Sequence, residues 1–136
     1  MPLTQGAGMI FPMDREKFEW LVARAVDDLP EEFRSKLENI DVVVEDWPTQ
    51  YQLAQVELKD NETLLGLYEG VPLTMRSSFY GLVPPDKITI FRKPIEAKCR
   101  YVAQITDEIQ RVVRHEIAHH FGIGDARLEQ IERGED

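Results

Sequence analysis

Apolar residues at Phe18, Leu21, Val22, Ala25, Val26 and Leu29 recur at i, i+3, i+4 and i+7, the spacing that lays one stripe of an α-helix against a core. Asp14 stands where an N-cap belongs and Pro30 closes the run, so the pattern predicts a helix from Met13 to Leu29. A shorter helical piece is predicted from Glu31 to Leu37. The β-branched run Asp41 to Glu45, ended by Trp47-Pro48, predicts a strand. Tyr51 to Lys59, with Leu53, Val56 and Leu58 as its apolar positions, fits helix and strand about equally.

Leu64 to Glu69 predicts a second strand. Gly and Pro then punctuate the sixteen residues from Gly70 to Pro85, a connection longer than usual and of the kind that often carries function. Lys87 to Arg92 alternates with period two, as a strand with one wet face does. The last helix begins between Pro94 and Thr106, turns Val102, Ile105, Ile109, Val112, Val113 and Ile117 to the core, and stops at Gly122, a residue suited to a left-handed helix end. Trp20 and Trp47 are expected in the core. No internal repeat or linker divides the chain, so 1–136 is expected to be one domain mixing helices with a small sheet, with 1–12 as an irregular arm.

Composition agrees with one core. At 136 residues with 43% hydrophobic and 30% charged positions, the chain is rich enough in large apolar groups to fold and lacks the long apolar run of a membrane span. Met1 to Met13 has no basic start and is broken by Pro2, Gly6, Gly8 and Pro12, unlike a signal peptide. With a lone Cys99, a cytoplasmic protein is expected. The net charge of −9 argues against a nucleic-acid binder, which needs a basic face. Residues 1–68 hold 14 acids and 6 bases, whereas 87–114 hold seven bases and three acids; the second stretch reads as a solvated face balancing the first.

All three histidines lie within six positions, in His115-Glu116-Ile117-Ala118-His119-His120. On a helix, H-E-x-x-H puts two imidazoles on one face a turn apart, so His115 and His119 can share a metal while Glu116 addresses a metal-bound water. A catalytic zinc usually has three protein ligands and one open position. A left-handed Gly122 would turn the chain so that Asp125 folds back as the third, giving H-E-x-x-H-x-x-G-x-x-D. In a chain of this composition that full pattern arises by chance on the order of once in 30,000.

Three segments carry a family resemblance: Leu64-Leu-Gly-Leu-Tyr-Glu-Gly-Val-Pro-Leu-Thr-Met-Arg-Ser77, Ile88-Thr-Ile-Phe-Arg92, and His115-Glu-Ile-Ala-His-His-Phe-Gly-Ile-Gly-Asp125. The chain thereby resembles the small bacterial zincin-like metallopeptidases, clearly over Leu64 to Leu128. The resemblance implies a zincin-like α+β single domain with a small mixed sheet and a metal-binding helix near the C-terminus. It also implies zinc at His115, His119 and Asp125, with Glu116 as general base. Unlike the wider metzincins, the chain has Asp125 where a histidine is usual, and all four methionines precede the site.

The function read from these residues is zinc-dependent hydrolysis of peptide bonds by an activated water, on a peptide or protein substrate, with another divalent metal as an alternative to zinc. A second reading is a zinc- or peptide-binding module of the same fold that is weak or inactive as a catalyst. A third is a deformylase-like hydrolase with Cys99 as third ligand. Tyr68, Arg76 and Tyr80 are candidates to contact substrate or its oxyanion, with Tyr101 and His120 as further options; His120 is expected in the core or behind the metal ligands. If Ile88 to Arg92 formed the sheet edge beside the metal, an extended peptide could add to it, with Gly70 to Pro85 walling the cleft.

Overall fold

A computed structural model describes residues 13–58, 62–70 and 85–134. The first helix, α1 (Arg15–Asp27), starts where Asp14 accepts a hydrogen bond from the Lys17 amide at 2.8 Å and buries Phe18, Leu21, Val22 and Ala25. A single helical turn, α2 (Glu31–Arg34), and a 3₁₀ turn (Ser35–Leu37) lead to strand β1 (Ile40–Glu45). Of the ambiguous segment Tyr51 to Lys59, residues 51–54 are helical within α3 (Gln50–Ala54), where Thr49 and Gln52 form a reciprocal capping box, while 55–58 are not helical and Lys59 lies outside the described residues. That pairing satisfies two otherwise orphaned amides and tips an ambiguous segment to helix.

Strands β2 (Gly66–Glu69) and β3 (Asp86–Phe91) complete a three-stranded sheet in the order β1-β3-β2, with β1 parallel and β2 antiparallel to β3. The expectation that Ile88 to Arg92 forms an edge is corrected here: β3 is the middle strand and β2 an edge among the described residues. Chain order misled because alternation along a strand reports its two faces and not its hydrogen-bonded neighbours; the expected wet face is also absent at Thr89, which is fully buried. Ile88 and Ile90 face the main core against α1 and the C-terminal helices, while Leu67 and Phe91 pack with Leu64, Leu53 and Val56 on the opposite face.

The expected last helix is present from Val102, and a shorter helix that the sequence did not predict precedes it. Helix α4 (Arg92–Lys98) follows β3 directly, and α5 (Val102–Phe121) follows after a break at Cys99–Tyr101. Helix α5 buries Ile105, Ile109, Val112, Val113 and Ile117, the stripe its sequence predicts. Gly122 ends it with φ 71°, and the Ile123 amide returns to the Ala118 carbonyl at 2.9 Å. Helix α6 (Asp125–Glu132) then packs Leu128 and Ile131 into the main core.

Trp20 and Trp47 are 51% and 60% exposed, a second correction. Trp20 falls off the stripe of α1, and the ammonium of Lys17 and the guanidinium of Arg24 cover its ring at 4.6 and 5.1 Å. A cationic flank satisfies an exposed aromatic face. At the other end of the sheet, the buried Arg92 guanidinium binds Asp46 at 2.9 Å, Glu96 at 3.3 Å and the Met13 carbonyl at 2.6 Å, tying β3 to the start of α1. No helix among the described residues is long and apolar enough to cross a membrane.

Candidate active site

The last two turns of α5 carry His115, Glu116, His119 and His120, and β2 crosses that end of the helix. Close approach is possible because Gly66 has no side chain: a Cβ there would collide with the Cγ1 methyl of Val112 on α5. Two residues further along β2, the Tyr68 amide donates to the Glu116 carboxylate at 2.9 Å across 48 positions of sequence.

Register explains why that amide is available. The Phe91 amide donates to the Leu65 carbonyl, and Leu67 pairs with Thr89. Antiparallel pairs alternate between bonded and non-bonded positions, so Gly66 and Tyr68 present their amide groups to the outer side of β2. Glu116 meets the strand on that side.

Glu116, His119, His120, Tyr68, Leu64 and Leu67 line a cleft of about 400 Å³. Burial pushes the Glu116 carboxyl above the usual carboxylate range, while the Tyr68 amide bond and the charge of His119 pull the other way. Burial also lowers the His115 imidazole; Glu132 opposes this, and Arg111, Arg114 and His119 add to it. The Nε2 atom of His115 stands 3.9 Å from the Glu132 carboxylate, which accepts from Arg114 Nε at 2.9 Å. A larger hollow of about 590 Å³ lies between α1 and β1, lined by five valines with Arg15, Glu19, Ala23 and Asp27 and by no histidine.

His120 is exposed rather than packed in the core. Its ring stacks on Tyr68 with centroids 3.9 Å apart and planes 14° from parallel, and makes a T-shaped contact with the Phe121 ring at a centroid distance of 4.9 Å. The Tyr68 hydroxyl is engaged with Asp86 at 2.7 Å. Tyr68 therefore offers the cleft its amide and its ring face. Arg76 and Tyr80 lie outside the described residues, as does most of the predicted wall from Gly70 to Pro85.

Tyr101 N-caps α5, and Cys99 lies just before it. At 1.5 Å per residue, the helix puts the start of α5 roughly 20 Å from His115. Neither reaches the site, and burial raises the Cys99 thiol; the deformylase-like reading loses its third ligand. The backbone of Asp125 opens α6, three residues past the left-handed Gly122, while its side chain lies outside the described residues. Among the described residues no three His, Cys, Asp or Glu side chains gather closely enough to hold a metal ion.

A helix bearing H-E-x-x-H against the edge of a small mixed sheet defines a zincin-type protein. The chain belongs to the zincin-like metallopeptidase family, whose family model matches residues 37–135. No curated protein matches the chain. Sequence reasoning missed two contributors, the Tyr68 amide and Gly66. Gly66 in an apolar strand was a readable signal, since glycine inside a strand often marks close backbone approach.

Proposed function

We propose that the protein is a zinc-dependent peptidase in which Glu116 is the general base. The observation that carries this reading is the Glu116 carboxylate, held by the Tyr68 amide in the cleft that His119 also lines. The donor set suits zinc: His115 and His119 stand one turn apart on α5 with Glu116 beside them, and zinc accepts imidazole nitrogen and carboxylate oxygen together. Asp125, three residues past Gly122, is the proposed third ligand. Bound zinc would supply a polarised scissile carbonyl and a water acidic enough to ionise near neutrality.

The chain's own residues do the rest. Glu116 takes the proton of the attacking water as its oxygen bonds to the carbonyl carbon, then passes that proton to the amine as the C–N bond breaks. No covalent intermediate with the protein forms. A peptide is the substrate that membership of a metallopeptidase family favours.

The test is zinc content by mass spectrometry, with cleavage of a mixed fluorogenic peptide library by wild type and Glu116→Gln. The expected result is one equivalent of zinc in both, with roughly 10²-fold or more loss of rate in the variant. Zinc without cleavage by the wild type would turn the reading to a binding module. No zinc after reconstitution, or an equally active Glu116→Gln, would overturn it.

A further inference from the structure

Hydrolysis of an amide needs a donor for the charge that grows on the carbonyl oxygen as water adds. Among the described residues, four side chains with polar atoms line the cleft: Tyr68, Glu116, His119 and His120. Glu116 is an acceptor in this step and His119 is assigned to the metal. The Tyr68 hydroxyl donates to Asp86. His120 remains, and none of the described residues makes a hydrogen bond to its ring nitrogens.

We infer that His120 is a further catalytic residue, whose ring N–H donates to the developing oxyanion of the scissile peptide bond. The inference rests on the peptidase reading above. Its geometric basis is the clamp on the ring. An exposed imidazole at a helix end would ordinarily sample several rotamers, but here one face lies against Tyr68 and the ring makes a T-shaped contact with Phe121. A donor fixed in this way needs no reorganisation as charge develops, which is what makes such groups effective. The same Tyr68 holds Glu116 through its amide, so one strand residue sets both the base and the donor. His119 and His120 are about 100° apart around the helix, which lets one serve the metal and the other face the substrate.

The experiment compares wild type, His120→Phe and His120→Gln, each loaded with zinc. Phenylalanine keeps the stack on Tyr68 and removes the N–H; glutamine keeps a donor. The expected result for His120→Phe is a fall in kcat of about 10²- to 10³-fold, with KM within a few-fold of wild type and zinc content unchanged. A phosphinic peptide that mimics the tetrahedral state should lose affinity by a similar factor, measured by calorimetry without turnover. His120→Gln should recover part of both.

Wild-type kcat in His120→Phe, a loss confined to KM, or loss of zinc would each overturn the assignment while leaving the peptidase reading in place. A wild type that neither cleaves peptides nor binds the phosphinic probe would overturn both.

Discussion

Gly66 and Val112 occupy one another's space: the position of a side chain on the first is already filled by a methyl of the second. The contact sets the distance between β2 and α5, and hence between Tyr68 and Glu116. Gly66→Ala is expected to cost about 1–3 kcal/mol, as overpacking usually does, and to lower turnover of the zinc-loaded protein by parting the Tyr68 amide from Glu116. Adding Val112→Ala should restore part of both. Unchanged denaturant midpoint and turnover in Gly66→Ala would refute the tight approach.

Zinc is expected to stabilise the fold by mass action, adding about 2.7 kcal/mol at a hundredfold excess over its Kd. His115→Ala, His119→Ala and Asp125→Ala should each abolish the rise in thermal midpoint, and a chelator should reverse it in the wild type. Cys99→Ser should behave as wild type. If Asp125→Ala kept the full rise, Asp125 would be excluded as a ligand.

Thr89 is fully buried in the middle strand, and its hydroxyl has no hydrogen-bond partner among the described residues. Valine keeps the shape without that cost, so Thr89→Val should stabilise by about 1 kcal/mol and suit a central strand equally well. Urea unfolding should show a higher midpoint at constant slope. A lower midpoint would mean that the hydroxyl is bonded after all.

Glu108 titrates at about 2, held down mainly by its hydrogen bond to Arg111 and further by Lys98, against the effect of burial. Lys98 Nζ lies 2.6 Å from its carboxylate. Because the folded state lowers this pKa from 4.5, the stabilisation is complete above about pH 4.5 and lost as the pH falls towards 2. The stability gap between wild type and Glu108→Gln should close over that window. A gap independent of pH there would rule out the ion-pair account.

Much of the candidate site was legible because its signal is local. Helical spacing from Ile105 to Ile117 puts His115 and His119 on a helix, and Gly122 ends that helix in the left-handed conformation the sequence leads one to expect. Such patterns depend on a few residues of spacing and on side-chain type, which sequence records directly.

Strand order was not legible. Lys87 to Arg92 alternates like a half-wet strand, yet Thr89 is buried, and alternation records sheet faces rather than the neighbours that make β3 the middle strand. The exposure of Trp20 and Trp47 likewise depended on which surfaces other elements left uncovered. Sequence determined the two long helices α1 and α5, the H-E-x-x-H spacing and the family. The tertiary structure alone decided that the Tyr68 amide would meet Glu116 and that His120 would stack on Tyr68. The reason is physical: every non-proline residue carries the same backbone N–H, so its partner is set by register and by how closely a strand approaches a helix.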